Sequence, residues 1–257
     1  MIFYRTKGRA REYAPWAVEL YEGCEHKCTY CYNTKKPVKA KNEDKFYTKG
    51  TPKKEILSHI KNDVHSLKKQ MAMGEKLMMC FGSDPYQESE KEHEITRETL
   101  RMLNWADVPF DVLTKNPLLA FERDKDLFLE KGGCLGSTIL FCKDSYREKW
   151  EPGAPCIKDR VHGIDLAHRA GIRTWVSVEP VIEPQEALDL IKAIDRAVDL
   201  WKVGKINYHP EVENKVDWKD FAERLYELLT SLGTDYVIKD SLAPFLPPGS
   251  RLIKKTK

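Results

Sequence analysis

Residues 157–178 read IKDRVHGIDLAHRAGIRTWVSV. Ile164, Leu166, Ala167 and Ala170 fall at helical spacing, and Gly171 stands where a helix end favours a residue free to take positive φ. Residues 174–178 follow as a short apolar run with little polar alternation, the pattern of a strand covered on both faces. The same unit recurs along the chain. The spacing predicts strands at 17–21, 77–81, 110–113, 136–141, 174–178, 200–203 and 236–238. Between them it predicts helices at 53–71, 93–105, 117–130, 157–170, 184–193 and 218–232. Repeated β–α units imply a parallel sheet with right-handed crossovers. The expected fold is α/β, a partial (β/α) barrel of six or seven parallel strands in a single domain over residues 1–257. Chemistry then belongs at the C-terminal ends of the strands.

The bulk composition agrees with an enzyme-sized core. The chain has 257 residues, 41% hydrophobic and 32% charged, enough to bury a sizeable interior. No apolar run reaches the length of a membrane span, and MIFYRTKGRAREYAPW at the start lacks the apolar segment of a secretory signal. The expected location is cytoplasmic, without a membrane partner. Net charge is only +3, but Lys35, Lys36, Lys39, Lys41, Lys45, Lys49, Lys53 and Lys54 crowd one stretch. That stretch reads either as a footprint for DNA or RNA or as a solvated lysine-rich loop.

Three of the seven cysteines lie in residues 23–32, GCEHKCTYCY, as C-x3-C-x2-C. Such clustering in a reducing compartment suggests metal binding rather than disulfides. Cys24, Cys28 and Cys31 can cap three irons of a [4Fe–4S] cubane and leave the fourth iron open, as a reactive cluster needs. Structural zinc is the alternative, with His26 or a remote thiol such as Cys156 completing four ligands. The place of the loop just after the first strand, with an aromatic beside the last cysteine, favours the cluster.

The motif resembles the signature of the radical S-adenosylmethionine (SAM) superfamily. The blocks GCEHKCTYCYN, FGSDPYQESE, VLTKNPLL, WEPGAPCIKDRVHGIDLAHRAGI and VSVEPVI resemble, in order, blocks of its spore photoproduct lyase-like branch, from about Tyr13 to Ile194. Phage-associated radical SAM proteins of unknown substrate carry similar blocks. The part from about residue 207 lies outside them.

The resemblance implies a [4Fe–4S] cluster on Cys24, Cys28 and Cys31 in a loop at 23–33, SAM chelated to the open iron, and reductive cleavage to a 5′-deoxyadenosyl radical. It implies SAM contacts from Tyr30 and Tyr32 beside the cluster and adenine, Ser83 and Asp84 near the amino group, and Lys115 at the carboxylate. Ser137 would meet the ribose or carboxylate, and Glu179 the adenosine. Glu151 and Arg160 read as a rigid loop and helix start, the duller role that Pro152 and Pro155 favour over a substrate site. An electron donor such as flavodoxin or ferredoxin is expected. Spore photoproduct lyase places a hydrogen-donor cysteine directly before the Ser-Asp pair. Here that position is Gly82, so dimer repair by that route is doubtful, and Cys142 is the alternative donor on geometry. The expected substrate is a nucleic acid or nucleotide. A small metabolite, a peptide, or a non-catalytic metal-containing nucleic-acid-binding module are the rival readings.

Overall fold

Seven parallel strands form the body of the protein in the computed structural model, which describes residues 1–35 and 46–255. The strands are β1 (Tyr4–Arg5), β2 (Trp16–Val18), β3 (Tyr21–Glu22), β4 (Thr51–Pro52), β5 (Leu77–Met79) and β6 (Phe110–Thr114), then β7 (Cys134–Thr138), β8 (Thr174–Val181), β9 (Leu200–Lys205), β10 (Tyr236–Ile238) and β11 (Ile253–Lys254). The main sheet runs β1-β2-β5-β6-β7-β8-β9-β10-β11. Every pair from β2 to β10 is parallel, while β1 and β11 add antiparallel to the two edges. β3 and β4 form a separate ribbon beside the cysteine loop. The order and direction are those of the expected partial barrel.

The helices are α1 (Tyr32–Lys35), α2 (Ile56–Gln70), α3 (Glu90–His93), α4 (Ile95–Trp105), α5 (Pro117–Lys131), α6 (Asp144–Trp150), α7 (Ile157–Arg169), α8 (Pro184–Ile194), α9 (Pro210–Glu213) and α10 (Trp218–Leu232). Six of them coincide with sequence-read helices to within a few residues. The strand expected at 136–141 lies at Cys134–Thr138 instead. Ile139, Leu140 and Phe141 are apolar because they pack in the outer core, not because the ladder continues through them. No described helix is long and apolar enough to cross a membrane.

Strand parity divides the interior into two layers. Leu77, Met79, Phe110, Val112 and Leu135 face outward under helices, as do Val176, Val178, Trp201, Val203, Tyr236 and Ile238. Met78, Leu113, Cys134, Trp175 and Val237 face inward and fill the lumen. A Cβ at Gly136 would lie 2.1 Å from the Trp175 ring, so that glycine makes room for the indole in the lumen. The short 3₁₀ segment Gly8–Glu12 with Tyr13 joins the first parallel strand to the last. Glu12 accepts from the Asp240 backbone at 3.2 Å, and Tyr13 packs on Phe81 and Trp175, each with ring centroids 5.9 Å apart.

A candidate cofactor site at the barrel mouth

The cysteine loop leaves β3 through Gly23, whose φ of +83° and whose contacts exclude a side chain: a Cβ would lie 2.7 Å from the Lys49 carbonyl. The loop is held by its backbone. Cys24 N–H donates to Phe46 O at 2.8 Å, Thr29 N–H to Trp150 O at 2.9 Å, and Cys31 N–H to Cys28 O at 3.1 Å. Gly153 N–H donates to His26 O at 3.0 Å, and a Cβ there would meet Glu25 O at 2.1 Å. The EPGAP turn, residues 151–155, is therefore a clamp on the cysteine loop. The C-terminal part adds to the clamp through His209, whose Nε2 lies 3.4 Å from Thr29 O. None of the three cysteines is in a disulfide among the described residues. Burial pushes the Cys24 thiol far up and the Cys28 thiol up to about 12, the latter against the pull of Lys115.

Behind Cys28 lies a buried charge network that sequence reading reduced to a rigid loop. Glu151 is fully buried and accepts from Arg160 Nη1 at 2.5 Å, from the Tyr30 hydroxyl, and faces Lys115 Nζ at 3.7 Å. Burial opposes its ionisation, but Arg160 and Lys115 hold its carboxyl below the usual range. Burial likewise opposes the charge on Lys115, and Cys28 and Glu151 outweigh it. The Lys115 ammonium also sits 5.8 Å from the centroid of the Tyr30 ring. Two cations share one carboxylate, and Arg160 Nη2 is buried without a hydrogen-bond partner.

Asp84 is committed to structure. Its Oδ1 accepts from Tyr86 N at 2.8 Å and Thr114 Oγ1 at 2.6 Å, and its Oδ2 from Lys115 N at 2.8 Å. His26 Nδ1 lies 3.3 Å from the same oxygen. Burial opposes ionisation, but His26 and these donors hold the Asp84 carboxyl well below the ordinary range. Asp84 thus ties the cysteine loop, the β5 loop and the end of β6 together. Ser83 Oγ is buried beside the Cys80 thiol. Tyr32 OH donates to Phe81 O at 2.6 Å.

Three expected residues stand apart from this group. Ser137 has outward parity and donates to Thr114 O at 2.9 Å, while Thr138 takes the inward position. Cys142 turns to the outer helix α8, its backbone N–H on Glu186 Oε2 at 2.9 Å and its thiol 3.8 Å from Glu186 O. Burial and Glu186 push that thiol up to about 11. Glu179 does face the lumen, but it accepts from the Tyr13 hydroxyl and lies 3.9 Å from Lys239 Nζ. It belongs to the opposite side of the mouth. Gly82 stands in the donor-thiol position for a visible reason: Glu19 accepts from Phe81 N and Gly82 N, each at 2.8 Å, and a Cβ at 82 would lie 3.0 Å from its carboxylate. The lumen residues Tyr13, Lys202 and Lys239 escaped the sequence reading, because a lysine inside an apolar strand looks the same whichever way it faces.

The donor set fits an iron–sulfur cluster. Three thiols in one clamped loop suit a cubane, in which each thiolate binds a different iron and the ligands stand wider apart than around one ion. Among the described residues no three or more His, Cys, Asp or Glu gather as a group for a single metal ion. Three thiolates exceed the charge of an oxidised cubane core by one, and Lys115 with Arg160 exceeds Glu151 by one of opposite sign.

Comparison with known proteins assigns the family. The radical SAM superfamily model matches residues 18–198, and the chain belongs to that superfamily. Its domain takes a [4Fe–4S] cluster and SAM, and these are the cofactors of this chain. An uncharacterized protein of Methanocaldococcus jannaschii is 26% identical over 170 residues, 66% of this chain and 61% of that protein. An uncharacterized protein of Mycobacterium tuberculosis is 24% identical over 173 residues, 65% of this chain and 49% of that one. The chain thus spans about half to three-fifths of these relatives. A spore photoproduct lyase mutant with bound SAM and dinucleoside spore photoproduct superposes with TM-score 0.63 at 15% identity, over 81% of this chain and 62% of that one. Streptococcus suis SuiB bound to its precursor peptide SuiA gives TM-score 0.64 at 11% identity, over 89% and 50%. At these identities both show the shared fold.

Proposed function

We propose that this chain holds a [4Fe–4S] cluster on Cys24, Cys28 and Cys31, binds SAM beside it, and abstracts hydrogen from a nucleic acid or nucleotide. The observation that carries the cofactor assignment is the clamped three-thiol loop set against a buried cation in excess of its carboxylate. When bound, the cluster and SAM supply one-electron cleavage of the S–C5′ bond to methionine and a 5′-deoxyadenosyl radical.

The chain binds, orients and excludes water. Lys115 offers its ammonium to the SAM carboxylate as a point charge, and Cys28 and Glu151 together keep that ammonium protonated. Ser83 Oγ is the polar group available to the SAM amino group, while Asp84 acts one step back by fixing Lys115 through its backbone. Tyr30, locked by Glu151, and Tyr32, locked by Phe81 O, line the loop as flat walls for the cluster and adenine. Glu179 is better matched to substrate than to adenosine. Ser137 and Cys142 have no part in this arrangement.

Nucleic acid is favoured as substrate by the dinucleoside held by one structural neighbour and by the lysines near the cysteine loop. Of these, Lys49 and Lys54 are exposed, while Lys36, Lys39, Lys41 and Lys45 lie outside the described residues. Dimer repair with a thiol at position 82 is not part of the proposal. We read residues 1–257 as one cytoplasmic domain, since β10, β11 and His209 continue the same sheet and clamp, and a flavodoxin- or ferredoxin-type protein as the electron donor.

Anaerobic reconstitution with iron and sulfide, then SAM and dithionite, is expected to yield a brown protein that forms 5′-deoxyadenosine. Cys28→Ala is expected to lose both cluster absorbance and cleavage; cleavage at the unmodified rate would overturn the ligand assignment. Deuterated thymidine oligonucleotides are expected to pass label into 5′-deoxyadenosine. Label from peptides and none from nucleic acid would replace the substrate class.

A further inference from the structure

The charge network behind Cys28 holds more than SAM binding uses. Arg160 stands in the first turn of α7 and is fully buried. Its Nε donates to Pro155 O at 2.9 Å, and its Nη1 to Thr138 O at 3.0 Å and Glu151 Oε2 at 2.5 Å. A guanidinium held at so many points keeps its place. Its Nη2 has no acceptor in the protein, and buried N–H groups without an acceptor are costly. Glu151 also faces Lys115 at 3.7 Å, so one carboxylate serves two cations and one positive charge is left over. These three groups reach the cluster loop. Burial pushes the Cys28 thiol up, Glu151 pushes with it, and Lys115 and Arg160 pull against both.

We propose that this network sets the reduction potential of the cluster, with Arg160 as the cation that raises it whether or not SAM is bound. The proposal rests on the cofactor reading above, and on no particular substrate or donor protein. Taking up an electron adds one negative charge to the cluster. A buried cation beside it favours the reduced form, and a buried carboxylate favours the oxidised form. Lys115 cannot fill this role in every state, because the SAM carboxylate takes up its charge. Arg160 stays charged throughout, fixed by two backbone carbonyls and Glu151. A cluster sulfur would also give its unused Nη2 protons an acceptor. Glu151 works in the other direction: it anchors both cations and cancels one of them.

The experiment is a redox titration of the reconstituted full chain without SAM, followed by the electron paramagnetic resonance signal of the reduced cluster. Arg160→Met is expected to shift the ratio of reduced to oxidised cluster at least tenfold toward oxidised, a lowering of about 59 mV or more for one electron. Lys115→Met is expected to lower the potential as well. It leaves the Glu151–Arg160 pair whole, so the test stands where half a pair does not fold. Glu151→Gln is expected to raise the potential. Glu151→Gln and Arg160→Met together remove one charge of each sign, and their shifts are expected to cancel, whereas structural damage to one network would accumulate. A cluster that forms with unmoved potential in Arg160→Met and Lys115→Met would overturn the proposal and leave the cofactor reading intact. Shifts of one sign that add in the double variant would overturn it too. An unsubstituted chain that gives no reducible cluster would overturn the cofactor reading itself.

Discussion

The two sides of the barrel mouth hold similar numbers of charges in opposite states. Around Lys115, the buried cations grip a buried carboxylate, and Arg160, Tyr30 and Glu151 are joined by hydrogen bonds. Around Lys202, the cations rest on aromatic faces and carboxylates stay just out of reach. One side is joined by hydrogen bonds, and the other is held by aromatic faces with two carboxylates at longer range. Buried charge is therefore not one kind of feature: joined by hydrogen bonds it fixes geometry, and resting on aromatic faces it stays costly.

Substitutions on the two sides should then have opposite signs. Glu151→Gln leaves Lys115 and Arg160 without their counter-ion and is expected to cost about 3–5 kcal/mol by urea denaturation; a loss below about 1 kcal/mol would erase the contrast. Lys202→Met should stabilise the protein at pH 7 by roughly 3 kcal/mol, since a buried cation with a depressed value is exchanged for an apolar group. The unfolded chain binds the extra proton between about pH 7 and about 10.4, so the stability of the unsubstituted protein should climb through that window. Lys202→Met should flatten the climb, and a climb that survives would place the titration elsewhere. Gly153→Ala pushes a methyl into Glu25 O and is expected to cost about 1–3 kcal/mol and to reduce iron content after reconstitution. Full iron at full stability would deny the clamp. Gly82→Ala meets only the tip of the Glu19 side chain at 3.0 Å, and a change of about 1 kcal/mol or less in thermal unfolding is expected.

Much of this could be read from the chain. The helix that ends before Gly171 was visible because a cap residue and a period agree. That Cys24, Cys28, Cys31 and Lys115 gather at one end of the sheet was legible, because motif spacing and the strand-end rule point to the same place. The direction in which Ser137 faces was not legible, for a physical reason. CLGST is buried on both faces, so nothing in its polarity tells inward from outward, and only the fit of Gly136 to Trp175 settles the parity. Glu151 and Arg160 were read as a rigid loop and a helix start, and Arg160 lies in the first turn of the helix Ile157–Arg169, but their ion pairs to each other and to Lys115 depend on three separate segments meeting. The edge strands β1 and β11, two residues each, leave no period to detect.

The segment at Glu12 and Tyr13 has a consequence for the order of events during folding. Its partners Lys239 and Asp240 lie more than two hundred residues away, with a separation of 228 between Glu12 and Asp240. A contact so remote in sequence is entropically expensive to close and comes late. On the ribosome, the β–α units can stack in order as they emerge, but the ring stays unlatched until the last parallel strand is made. Lys202 and Lys239 are brought against Tyr13 only by that final latch, so the interior of the barrel matures after its walls.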